Sequence, residues 1–181
     1  DDPSWLDDAI DIAQFQVYAV RDVIDSENAK FVITNTSGSF HVATDTYYDV
    51  YDDSKWNFAV SVRPKYWPFG NRLTGTADAN YTLEFYGVNN NCGVVENTFQ
   101  LTHSLSHATV TYYVATPKKV YIGAHRTDFT GTVQQFSDVK ASYLRYYVDY
   151  LEPKTVNRHS FYSFNRGSDF PLRRTLFSEA I

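Results

Sequence analysis

The segment from Lys119 to Val133 constrains the fold more than any other part of this chain. A run of β-branched and aromatic residues, Val120-Tyr121-Ile122, ends at Gly123, and a short polar loop leads to Phe129-Thr130-Gly131 and a second run. Such residues favour pleated, half-buried surfaces, and Gly marks a bulge, a close backbone approach or a turn with positive φ. The same grammar recurs upstream. Trp56, Phe58, Val60 and Val62 alternate with Asn57, Ala59 and Ser61, which is the period of a strand, until Pro64, Pro68 and Gly70 break the pattern.

Further strands are read at Phe31–Thr34, Phe40–Thr44, Tyr81–Val88, Thr98–His103 and Ala108–Ala115. Others follow near 119–123, 130–136 and 139–151. Asn89-Asn90-Asn91 reads as the turn that closes the Tyr81 strand. Phe15, Val17 and Ala19 alternate as a strand too, although helical spacing also fits parts of 6–24. Asp2-Pro3 is a helix-start signal. The 16 Asp against 5 Glu point to many loops and few helices. Together these predict an all-β domain, an antiparallel jelly-roll β-sandwich. It would span 1–160, with 161–181 an irregular tail or a linker to a following domain. Trp56, Phe58, Val60, Phe85, Ile122 and Val148 are its predicted core.

These residues also carry a family resemblance, over roughly 15–160. Lys55–Val60 resembles the central strand of concanavalin A-like lectin/glucanase (laminin G-like) domains, and Leu83–Val88 is similar to the strand that follows it there. Val120-Tyr121-Ile122-Gly123 with Phe129-Thr130-Gly131 resembles the family's Ile-Gly and Phe-x-Gly pair. Leu151 to His159 falls where the family has a closing strand and short helix. The form Gly123–Gly131 followed by Ser137-Asp138-Val139-Lys140 looks like lectin-like segments of virus and phage structural proteins. The resemblance implies a binding and display scaffold on a virion or in an extracellular or cell-surface protein.

Composition narrows the partners. A net charge of −5, with both signs mixed along the chain, disfavours nucleic acid. No apolar run approaches the roughly 20 residues of a membrane span. The chain has no Met and opens at Asp1-Asp2, which predicts a piece cut from a longer polypeptide. Cys92 stands alone, so no internal disulfide is available. Asn35-Thr36-Ser37 and Asn80-Tyr81-Thr82 are sequons of the number that chance supplies.

No catalytic motif appears. Glucanases of the resembling superfamily carry Glu-x-Asp-x-x-Glu on one strand, because retaining hydrolysis needs two close carboxylates. Glu27, Glu84, Glu96, Glu152 and Glu179 do not form that pattern. His103 and His107 lie in what reads as strand and turn, where a spacing of four does not converge two imidazoles on a metal. The expectation is therefore no enzyme and no cofactor. Calcium is the metal that the loop carboxylates Asp45, Asp49, Asp52 and Asp53 would suit, with no motif to fix a ligand set.

Two loops suit a glycan, which needs aromatic faces beside planar polar groups. They supply Tyr66 and Trp67 from the first, and Asn89, Asn90 and Asn91 from the second. An interface is expected at Tyr143, Arg145 and Tyr147, on the face opposite the core candidates Leu144, Tyr146, Val148 and Tyr150. Phe161, Phe164, Phe170 and Phe177 extend it through the tail. Apolar burial contributes about 25 cal/mol per Å², so such residues seek a partner chain or a following domain. The expected function is a non-catalytic structural and attachment domain of a larger assembly, with other subunits as partners. The alternatives are a glycan-binding module and, behind it, a glycoside hydrolase lacking the usual motif.

Overall fold

A computed structural model describes residues 15–35, 40–68, 80–115, 120, 122–126, 133–136, 140–147 and 149–161. These are mostly antiparallel β. Strands β1 (Gln16–Arg21), β2 (Ala29–Thr34) and β3 (His41–Ala43) form one three-stranded sheet in that order. Strands β4 (Trp56–Pro64), β5 (Asn80–Asn91) and β6 (Val94–Ser106) form a second. Each is a meander in which consecutive strands are neighbours. A short ribbon pairs β7 (Ala124–Arg126) with β8 (Val133–Phe136). Helix α1 (His107–Ala115) follows β6, and helix α2 (Pro153–Phe161) comes last.

The two large sheets share one core. Phe31, on β2, is 1% exposed and lies 4.6 Å from the Trp56 ring, 5.1 Å from Phe58 and 5.0 Å from Phe99. Ile33, Leu83, Phe85 and Leu105 complete this layer, with Val110 and Tyr113 closing it from α1. Strand β5 is the centre of the second sheet and is buried from Leu83 to Asn90 on both faces. Its inner residues Leu83 and Phe85 meet the first sheet. On its outer face, Tyr86 and Val88 pack against Val156 of α2, with Leu151 beside them.

Gly87 is required by a close approach. It stands directly opposite Phe99, whose ring lies where a β-carbon on Gly87 would be. The ring fills space that two side chains could not share. The β5–β6 hairpin turns on Cys92 and Gly93, with φ of 51° and 85°. Two successive positive φ values are the geometry of a tight turn whose twist suits a hairpin.

Several sequence expectations are corrected. Residues 108–115 are helix, not strand. The β-branched Thr109, Val110 and Thr111 favour a strand locally, but the Ser106 hydroxyl caps the start by accepting the Thr109 N–H at 3.2 Å. Val110 and Tyr113, three apart, then bury one side. Phe58 is 44% exposed, on β4, which among the described residues is an edge strand and is covered only partly. Ile122 is 53% exposed. Residues 140–147 carry no strand, so their alternation sorts nothing, and Leu144 and Tyr146 are exposed instead of forming core. Gly123 has a φ of 90°, a conformation that favours glycine, and among the described residues nothing lies within 4 Å of where a β-carbon would sit. Val148, Gly131, the Asp2-Pro3 signal and the tail from 162 to 181 lie outside the described residues.

Candidate ligand-binding site on the outer sheet face

The outer face of the second sheet is assembled by register. Arg63, Thr82 and Ser104 lie in one cross-strand row, and Ser61, Glu84 and Thr102 in the next. Glu84 is the anomaly. It is a carboxylate in the middle of an apolar central strand and is 2% exposed. Burying an ion costs several kcal/mol unless partners replace its water. Here they do. Arg63 Nε–H donates to Glu84 Oε2 at 3.1 Å, and the Tyr150 hydroxyl lies 3.0 Å from Oε1 and 3.2 Å from Oε2. The Arg63 guanidinium also sits over the Tyr150 ring, 5.4 Å from its centroid.

A turn after β4 closes this end of the sheet. Trp67 N–H donates to the Pro64 carbonyl at 3.0 Å, and Lys65 N–H to the Asn80 carbonyl at 3.1 Å. The turn brings Trp67 edge-on to Tyr150, with centroids 4.8 Å apart. Tyr66 stays exposed, with the Lys65 ammonium 5.6 Å above its ring. Alongside, β6 presents Thr98, Gln100, Thr102 and Ser104, all exposed.

The electrostatics favour holding over proton transfer. The Tyr150 phenol is pushed up to about 12, first by burial and then by the negative charge of Glu84. It therefore stays protonated near neutral pH and keeps donating. Glu84 is occupied by two partners, and the other described glutamates with polar contacts are engaged elsewhere: Glu96 accepts from Asn91, and Glu152 pairs with Lys154.

The sequence-predicted residues divide. Trp67 packs against Tyr150 at this end of the sheet, and Tyr66 is exposed in the same turn. Asn89, Asn90 and Asn91 do not form a loop, because β5 continues through Asn91. They lie at the opposite end of that strand, about 25 Å away at the usual rise per residue. The Asn89 amide donates to the Lys55 carbonyl and the Asn90 amide to the Ser160 hydroxyl, while Asn90 Oδ1 accepts the Gly93 N–H. Both residues are buried, and they tie the hairpin and α2 to the sheet. Asn91 reaches Glu96 at 3.1 Å. Sequence reading missed Arg63, Glu84 and Tyr150; the available signal was a single charge inside the apolar run Leu83-Glu84-Phe85.

The expected interface is partly in view. Tyr143 is exposed, Arg145 is half-buried, and Tyr147 is half-buried against His159 with centroids 6.1 Å apart. Phe161 ends α2 and is 41% exposed. Phe164, Phe170 and Phe177 lie outside the described residues. His103 stacks on Phe40 and His107 on Tyr81, so each imidazole has its own aromatic partner. Asp49 and Asp53 adopt positive φ near Asp45 and Asp52, and among the described residues no three of His, Cys, Asp and Glu gather as metal ligands. Among the same residues, no helix is long and apolar enough to cross a membrane. No protein family, curated protein or solved structure matches this chain.

Proposed function

We propose that this chain is a non-catalytic structural and attachment domain of a larger assembly, lectin-like in architecture and displayed on a virion or an extracellular surface. The observation that carries the reading is the segment 140–147. It belongs to no sheet, yet Tyr147 on His159 and Tyr150 on Glu84 hold the chain that follows it. Between those anchors and the preceding chain, Tyr143, Leu144 and Tyr146 are 54%, 66% and 75% exposed. Large apolar side chains presented together from a tethered segment are what a protein partner covers.

The finer fold assignment is a jelly roll of the concanavalin A-like kind. Two sheets around one aromatic core and the order of the sequence motifs support it. Both three-stranded sheets are meanders.

The assembly reading is tested by sedimentation of the purified chain over a wide concentration range, beside a triple variant Tyr143→Ser, Leu144→Ser, Tyr146→Ser. Self-association, or capture of a neighbouring subunit of the same particle, that is lost in the variant is the expected result. A chain that stays monomeric and binds no such subunit would remove the reading.

A second reading, glycan binding, is favoured by Tyr66 and Trp67 at the outer sheet face. Trp67 packs on Tyr150, whose ring lies under the Arg63 guanidinium, and Tyr66 is exposed in the same turn. Hydrolysis is not part of either reading: Glu84 is held by Arg63 and Tyr150, and among the described residues no second carboxylate contacts it.

A further inference from the structure

We propose that Arg63 is the anion-recognition element of a saccharide site on the outer face of β4, β5 and β6, and that the preferred ligand carries a carboxylate or sulfate on a sugar ring. This rests on the glycan reading above and narrows it to acidic saccharides.

A guanidinium offers five N–H donors in a planar fork. In Arg63, Nε–H donates to Glu84 at 3.1 Å, and the guanidinium also hydrogen-bonds the Tyr150 hydroxyl. Two partners leave several of the five donors over, and the side chain is 23% exposed. Those remaining donors suit a planar oxyanion.

The side chain is also held before any ligand arrives. Glu84 grips it from the buried side, and the Tyr150 ring lies beneath the guanidinium. An exposed arginine normally loses rotamer freedom when it binds, and a fixed one loses less. Glu84 offsets the charge of Arg63 at long range, so Lys65 supplies the net positive charge beside it. Attraction at a distance is then modest, and selectivity comes from the short-range fork.

The surroundings suit a sugar better than a bare anion. Tyr66 is exposed, and Trp67 is fixed against Tyr150. Aromatic faces carry the apolar side of a pyranose ring. Ser104 is two strands across in the Arg63 row, about 10 Å away at the usual strand spacing. With Thr102 it places hydroxyls within the reach of a disaccharide whose acidic group sits on Arg63.

The experiment is calorimetric titration of the purified chain with sialyllactose, sulfated lactose, lactose and a triglutamate peptide. One of the two acidic saccharides should bind, and which of them does separates carboxylate from sulfate. Lactose should bind at least about tenfold more weakly, as expected for a lost charge-assisted pair. Arg63→Lys keeps a cation for Glu84 and removes the fork, so it should weaken the acidic saccharide by about tenfold while thermal unfolding stays near that of the parent. Equal binding of lactose would overturn the acidic preference and leave the glycan reading intact. Binding of neither class would overturn both. Acidic-saccharide binding that Arg63→Lys does not change would overturn the placement. A triglutamate peptide that binds as tightly would overturn the saccharide class.

Discussion

The two faces of β5 are built by different physics. The inner face, Leu83, Phe85 and Gly87, meets a dry layer of aromatic rings around Phe31. It is held by shape and area, and no hydrogen bond has to be correct for it to form. The outer face, Glu84, Tyr86, Val88 and Asn90, is mixed. Its ties come from residues far along the chain: Tyr150 to Glu84, the Asn57 amide to the Val156 carbonyl, and the Lys55 ammonium to the Ser160 carbonyl. The inner face stabilises the fold. The outer face positions a segment and, in doing so, fixes an arginine.

That contrast can be broken by substitution, and the largest effect belongs to the inner face. Phe31→Ala should cost about 4 kcal/mol, because a buried ring touching several others leaves a void that strands cannot close. Equilibrium denaturation measures it, and a cost below about 1 kcal/mol would show that the two sheets do not share a core. Next is Gly87→Val, which places branched carbons where the Phe99 ring lies. Overpacking predicts about 2 to 3 kcal/mol, and a paired Phe99→Ala should recover part of it as a non-additive term in a double-mutant cycle.

Val156→Ala tests the outer face by its apolar contact alone. Val156 is 4% exposed against Tyr86 and Val88, and losing its methyl groups should cost about 2 kcal/mol. Hydrogen exchange should rise first in 150–161 and leave the inner strands protected, if the two faces are separable.

The smallest effect sharpens the comparison most. Tyr150→Phe removes only the hydroxyl that donates to Glu84 and should cost about 1 to 2 kcal/mol near neutral pH. The Tyr150 pKa is raised in the folded state to about 12 from the ordinary 10. Its contribution is therefore fully present below pH 10 and is lost as pH rises through about 12. Ultraviolet titration should lose one late-ionising tyrosine in the variant, and the parent should shed more stability than the variant across that window. Equal alkaline slopes would show that Tyr150 does not face a buried carboxylate.

Legibility followed the same division. The alternation at 56–62 located β4, and the inward-facing Leu83 and Phe85 were readable as core from the run around them. The helix at 107–115 was hidden because its β-branched residues favour a strand in isolation. Only the Ser106 cap and the docking of Val110 and Tyr113 decide otherwise. Asn89-Asn90 read as a turn because Asn suits turns. Their amides instead satisfy Lys55 and Ser160, partners that no local window contains. Tyr66 and Trp67 drew attention in the sequence because aromatics crowd there between Pro64 and Gly70. Arg63 and Tyr150 were missed because each is ordinary by itself.

What the sequence by itself determined is the β class, most strand positions, the break at Pro64, and the lack of a paired-carboxylate motif. Those depend on side-chain period and local backbone preference, which short windows contain. Tertiary structure alone decided that β5 is buried on both faces, that Glu84 is held by Arg63 from 21 residues away and by Tyr150 from 66, and that Leu144 and Tyr146 remain outside. The reason is desolvation. A buried carboxylate must find its partners wherever the fold brings them, and a ring counts as core only when another element arrives to cover it.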